Sequence, residues 1–212
     1  MAESFADAQG KVIFDDLVAM MVENRAYLSE VDGAIGDGDH GINMSKGFKM
    51  AAERVDDDAG FVGSIKTLGK TLVMEIGGSM GPLYGAFFKA MAKGGADTEQ
   101  IDAATFAEMI ESAYAQIQSL GNAKVGDKTL VDALDPGFNA LKGAIDSGKG
   151  FAEALDEMVA AAEKGKESTK EMVAKVGRSA RLGERSRGVL DAGATSCYLI
   201  LKTMAESIKK LL

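Results

Sequence analysis

The chain has 212 residues, a formal net charge of −8, 46% hydrophobic and 26% charged residues, which is the make-up of a globular protein and excludes a disordered one. The acidic balance excludes a basic nucleic-acid-binding surface, and no stretch reaches the ~18 apolar residues of a membrane span. Cys197 is the single cysteine, so no disulfide forms within the chain; this fits a reducing, cytoplasmic setting, as does the absence of an apolar leader core in Met1 to Gly10.

This length suits one domain spanning residues 1–212. Apolar residues recur at helical spacing along it. Ile13, Leu17, Met20 and Met21 open a first stripe, and Met44, Phe48, Ala51 and Val55 form a second. Phe61, Ile65, Leu68, Leu72 and Ile76 make the cleanest one, and Leu83, Phe87 and Met91 a short fourth. Ile110, Ala113, Ile117 and Leu120 form the fifth, with a capping box expected at Thr105 and Glu108 and a stop at Gly121. Leu130, Leu134, Phe138, Leu141 and Ile145 form the sixth, where Pro136 marks a kink or the true start. Phe151, Leu155, Met158 and Ala162 begin the seventh, and Cys197, Ile200, Met204, Ile208 and Leu211 make the eighth. No run alternates in the manner of a strand. The expected fold is all-α, with about eight antiparallel amphipathic helices in a bundle or a closed ring.

The glycines cluster in four connections: Gly33 to Gly41, Gly77 to Gly85, Gly121 to Thr129, and Gly177 to Gly193. All four are odd-numbered connections, which an up-and-down fold brings to the same end. The first holds Asp32, Asp37 and Asp39 within eight residues, in a segment too rich in glycine for a helix. Three carboxylates so close repel one another unless a cation sits among them, and hard divalent ions favour such oxygens. A solvated turn is the competing reading. An EF-hand is excluded, because the twelfth position counted from Asp37 is Phe48, where a bidentate Glu belongs. One small loop leaves coordination positions open, which suits magnesium shared with phosphate. His40, the single histidine, reads as a hydrogen-bonding neighbour before a metal ligand or a phosphoryl carrier.

In the second connection, Gly77-Gly78-Ser79-Met80-Gly81-Pro82 lets amides and a hydroxyl approach an anion at a helix start. A Walker-type phosphate loop is absent: Ser64 stands where Gly69-Lys70-Thr71 would need its first glycine, and Asp127 where Gly121 and Gly126 would need lysine. The third connection contains Gly126-Asp127-Lys128-Thr129. The fourth offers Arg178, Arg181, Arg185 and Arg187 as forks for phosphate, then Asp191-Ala192-Gly193 at a helix start.

Taken together, the string Ile35-Gly-Asp-Gly-Asp-His-Gly-Ile-Asn-Met44, the Gly77 turn, Gly126 to Thr129, Gly183-Glu-Arg-Ser186 and Asp191 to Ser196 resemble the nucleotide-binding L subunit of dihydroxyacetone kinases along essentially the whole chain. The resemblance implies a closed barrel of eight antiparallel helices, with ADP or ATP and two magnesium ions at one end. By matching position it implies Asp32, Asp37 and Asp39 as metal ligands. It places the nucleotide against His40, Gly41, Ile42, Asn43, Ser79, Met80, Gly121, Leu130, Arg178, Asp191, Ala192 and Gly193. It implies no catalytic side chain beyond these ligands. One branch of the family uses free ATP. In the other, bound ADP is recharged by a phosphohistidine carrier of the phosphotransferase system, and the His-Gly-x-Asn-Met pattern from His40 resembles that branch. The expected partners are a ketose-binding kinase subunit and that carrier, with neither nucleic acid nor membrane. Related kinases act on other small ketoses such as tetruloses, and a non-catalytic nucleotide sensor is the remaining alternative.

Overall fold

The structure, a computed structural model, describes residues 3–212. Those residues form nine α-helices: α1 (Lys11–Glu23), α2 (Arg25–Gly33), α3 (His40–Ala52), α4 (Phe61–Glu75), α5 (Met80–Gly94), α6 (Ala103–Leu120), α7 (Val131–Asp146), α8 (Phe151–Ser168) and α9 (Ala192–Lys209). Two short strands, β1 (Ser4–Ala6) and β2 (Gln100–Asp102), and three 3-10 turns complete them. Helix α1 packs on α3, and each later helix packs on the next, until α9 packs back on α1. The sequence left an open bundle and a ring as alternatives; the α9–α1 contact closes the ring.

Each stripe read from the sequence supplies the inner face of a helix. Phe61, Ile65, Leu68 and Leu72 of α4 are wholly buried, as are Leu134 and Leu141 of α7 and Ile200, Met204 and Ile208 of α9. They join one continuous core cluster with Phe14, Phe48, Phe88, Phe106 and Met158. Fully burying one such side chain stabilises the fold by about 1.5–3 kcal/mol, which is why short helices of modest propensity hold. The stripe residue Leu120 falls outside this pattern: it is half exposed at the end of α6.

Three local features differ from the sequence expectations. The first helix breaks at Asn24, whose side-chain amide donates to the Met20 carbonyl at 2.9 Å. The α2 that follows buries only Leu28, too little apolar surface for a visible stripe. Helix α6 is capped by Asp102, whose carboxylate accepts from the Thr105 amide at 2.9 Å, and not by Thr105 itself. The β1–β2 pair, with buried Phe5 opposite buried Ile101, joins two three-residue segments remote in sequence, so neither carries an alternating pattern of its own.

Two helix pairs approach closely through missing side chains. Pro136 lies inside α7 and has no N–H to offer the Asp132 carbonyl one turn earlier. Helix α8 seats Gly165 against that carbonyl; a Cβ there would sit 2.0 Å from it. Between α4 and α5, Gly69 and Gly85 face one another, and a Cβ on either would lie 2.8 Å from the other's carbonyl oxygen.

The N-terminal segment closes one end of the ring. β1 pairs beside the start of α6, Asp7 accepts from the Val62 amide in the first turn of α4 at 2.8 Å, and Glu3 accepts from the Ala152 amide at the start of α8. The first turns of α4, α6 and α8 therefore lie at this closed end. Those of α3, α5, α7 and α9 open at the other.

Candidate functional site

At the open end lies a cleft of about 250 Å³. Its lining takes residues from all four glycine-rich connections, among them Asp37, Ser79, Thr129 and Gly177. The odd-numbered connections do meet at one end. Their meeting has an electrostatic consequence, because the lining includes the first residues of three helices, His40 of α3, Met80 of α5 and Ala192 of α9, and Leu130, the residue that caps the start of a fourth, α7. Each helix start carries partial positive charge and amides without helical partners, so four of them around one cleft favour an anion.

The acidic loop sits beside these helix starts. Asp32, at the end of α2, Asp37 and Asp39 bring one carboxylate oxygen each within 4.8 Å of one another. The turn that gathers them needs glycine twice. Gly38 has φ +76, and a Cβ on Gly36 would sit 2.4 Å from Oδ1 of Asp32. Asp32 also accepts weakly from the His40 amide, at 3.4 Å. Three hard oxygen donors with open positions around them fit magnesium, and among the described residues their one ion-pair partner is Arg178, which pairs with Asp37 from the segment before α9.

His40 is buried with its imidazole turned inward. Its Nε2 lies 2.8 Å from Oγ of Ser196, which lies 2.5 Å from the Tyr84 hydroxyl; that hydroxyl donates to the Gly193 carbonyl at 3.0 Å. Burial pushes the imidazole pKa down to about 4, against the pull of Asp32. The ring is thus neutral at physiological pH and ties α3 to α5 and α9. Asp191 caps α9 by accepting from the Ala194 amide at 2.7 Å. Burial pushes its carboxyl up to about 7; Asp132 adds to the rise, while the amides of Ala194 and Gly193 and the charge of Lys128 oppose it.

The loop before α7 is held from within. Asp132, almost fully buried, accepts from the Gly126 amide at 2.5 Å and from the Thr129 amide at 2.7 Å. Lys128 has φ +63, and its ammonium is buried beneath the connection between α8 and α9.

Of the residues singled out in the sequence, Asp32, Asp37, Asp39, His40, Ser79, Met80, Leu130, Arg178, Asp191, Ala192 and Gly193 line the cleft. Gly41, Ile42, Asn43 and Gly121 do not. Gly41 faces α2, where a Cβ would meet the Arg25 carbonyl at 2.0 Å, and Ile42 points to solvent from the first turn of α3. Tyr84, Lys128 and Thr129 also line the cleft, Ser196 backs His40, and the sequence reading assigned a role to none of them. Lys128, Thr129 and Ser196 stood inside motifs already noted, and Tyr84 inside the Gly77 to Gly85 connection, but nothing in those strings shows that Tyr84, Ser196 and His40 meet.

The DAK2 domain model matches residues 34–206. The chain is 38% identical over 205 residues to the PEP-dependent dihydroxyacetone kinase 2, ADP-binding subunit DhaL, of Listeria innocua, covering 93% of each chain. It is 32% identical to the D-erythrulose kinase of Mycolicibacterium smegmatis, covering 92% of this chain but only 34% of that one. In fold it is similar to the C. freundii dihydroxyacetone kinase crystallised with AMP-PNP and Mg2+, with a TM-score of 0.72 at 24% identity, over 98% of this chain and 35% of the other. This chain therefore spans about a third of those two longer kinases and nearly all of the Listeria subunit. A family match over most of the chain and a relative aligned almost end to end agree: this chain belongs to the DAK2 domain family.

Proposed function

We propose that residues 1–212 form the nucleotide-binding subunit of a dihydroxyacetone-type kinase, which holds ADP or ATP and acts with a separate ketose-binding subunit. The observation that carries this reading is the facing of four helix starts onto three converging carboxylates in one cleft. That arrangement is bipolar: it takes a polyanion and a divalent cation together, and neither well alone. Support comes from the Listeria relative, matched over 93% of each chain, whose name describes an ADP-binding subunit.

In this reading Asp32, Asp37 and Asp39 would hold two magnesium ions, whose positive charge would offset the negative charge of the phosphates during transfer. The amides at the starts of α3, α5 and α9 take up the remaining phosphate charge, and Arg178 turns from Asp37 to add a fork. The chain needs no nucleophile. Bound nucleotide would supply the phosphoryl group for a ketose hydroxyl and would regain it from a phosphohistidine carrier, while this chain's own residues hold and orient the phosphates. Ile42, Met74, Leu120, Val125 and Val176 stand exposed on the ends of helices and loops around the mouth, an apolar rim suited to partner proteins. Among the described residues no helix is long and apolar enough to cross a membrane, and a cytoplasmic setting belongs to the proposal.

Mass spectrometry of natively purified protein, followed by reconstitution, tests this. Retained ADP, recharged by a phosphohistidine carrier and then discharged onto dihydroxyacetone in the presence of a ketose-binding subunit, is the expected result. Empty protein that turns over free ATP with such a subunit would favour an ATP-using kinase, a reading the D-erythrulose kinase similarity supports. Nucleotide that never turns over with any partner would leave only a sensor.

A further inference from the structure

Lys128 is 2% exposed, yet among the described residues it meets backbone carbonyls and forms no ion pair with a carboxylate. Its Nζ instead donates to the carbonyls of Ser186 and Val189 at 2.6 Å, of Thr169 at 2.8 Å and, more weakly, of Met172 at 3.3 Å. An ammonium has three protons, so three strong partners and one shared one saturate it. These acceptors fall in two groups, Thr169 and Met172 before a loop and Ser186 and Val189 after it. The two sides also meet directly, for the Ala174 amide donates to Oγ of Ser186 at 2.9 Å. Ser186 donates in turn to the Gly183 carbonyl at 2.6 Å, and the Lys175 amide donates to the Asp127 carbonyl at 3.1 Å. Residues 174–186 thus form a closed loop on a narrow neck, with Arg178 on its outward part. Burial depresses the Lys128 pKa and Asp191 pulls it back up, as expected for a cation held by dipoles next to a carboxyl.

We propose that Lys128 is a positioning residue: its ammonium clasps both sides of the neck of the 174–186 loop and so fixes where Arg178 stands over the acidic mouth. The step from loop to ligand rests on the nucleotide reading above; the clasp itself does not. A lysine suits the task because one cation gathers carbonyls from both chain directions, which no neutral side chain of that length does. Its backbone is pinned in turn by the Asp132 bonds to Gly126 and Thr129, so the loop is referenced to the start of α7.

Hydrogen exchange on nucleotide-free protein, resolved by peptide, tests the clasp in Lys128→Met. Exchange should become roughly 10- to 100-fold faster within 174–186, the change that loss of a charged hydrogen bond corresponds to, and stay unaltered in α4 and α5. ADP should leave the variant faster by a similar factor, and ethylammonium should restore retention to Lys128→Ala, which leaves room for it. Ser186→Ala, which opens the neck without touching the cation, should loosen the same loop and serves if the lysine variants do not fold. Loop exchange unchanged in Lys128→Met overturns the clasp. Faster ADP release with an unchanged loop overturns it too, since Lys128 would then act through its charge on phosphate. Wild-type protein that holds no ADP would sink the nucleotide reading, and the exchange result would still stand or fall alone.

Discussion

Arg178 reaches from the loop before α9 to pair with Asp37, so the guanidinium that lines the cleft rests on a proposed metal ligand. Both side chains are half exposed, and such a pair is weak in water. It is also exclusive: a cation that claims Asp37 frees the guanidinium for another anion. Arg178→Ala should weaken ADP by roughly 10- to 100-fold in the presence of magnesium, the range of a charged hydrogen bond to phosphate. Magnesium alone should bind the variant at least as well as the wild type. Isothermal titration of each ligand reads both, and weaker magnesium binding by the variant would contradict the exchange of partners.

The acidic loop makes a second expectation. Magnesium with ADP should stabilise the wild type by about 2.7 kcal/mol at a hundredfold excess over Kd, because both bind the native state alone. Asp37→Asn and Asp39→Asn should erase that gain while leaving helix content intact, since both side chains are at least partly exposed and outside the core. Calorimetry with and without the pair of ligands decides it. No shift in the wild type would dismiss the metal site.

His40 should never carry phosphate. Its Nε2 is engaged by Ser196 inside the barrel, out of reach of a carrier protein. His40→Ala should slow sugar phosphorylation without abolishing it, and Ser196→Ala should produce a similar but smaller loss by freeing the ring. Acid-labile phosphate on His40 during turnover would reverse this assignment.

Asp191 gives the pH dependence a sign. Its folded pKa, about 7, lies above the ordinary carboxylate value, so its contribution is fully present below about pH 4 and fades as pH rises through 7. Asp191→Asn keeps a cap acceptor for the Ala194 amide but cannot ionise. The stability difference, variant minus wild type, should therefore grow from pH 5 to pH 8 in denaturant unfolding without ligands. A flat difference would place the carboxyl in a better-solvated setting.

Gly165→Ala tests the α7–α8 seat. The added methyl would stand 2.0 Å from the Asp132 carbonyl, a backbone atom with nowhere to retreat, so overpacking of about 1–3 kcal/mol is expected. Because Asp132 also holds Gly126 and Thr129, nucleotide affinity should fall along with stability. Urea unfolding and titration of the same variant report the two effects.

What the sequence disclosed, it disclosed through periodicity and clustering. The α4 stripe is buried as its spacing implies, and the odd-numbered order of the glycine-rich connections is itself enough to place them at one end. Asp32, Asp37 and Asp39 were visible because carboxylates packed together need a reason. Lys128 was not: nothing in a lysine beside an aspartate says that the ammonium turns inward to carbonyls some forty to sixty residues away. The β1–β2 pair and the Tyr84–Ser196–His40 chain were hidden for the same reason, since each is made by residues that meet only after the ring closes.

The closure of the far end by β1 has an architectural consequence. The described chain enters there, and α9, which starts at the mouth, runs back to finish there. Both ends of the described chain thus lie on the face opposite the cleft. A fusion, a tag or a surface anchor attached at either one would hang behind the barrel and keep the opening clear. The same unit can then serve as a free subunit or as one segment of a longer kinase with no change to the mouth, and immobilising it by a terminus should present the cleft outward to whatever is passed over it.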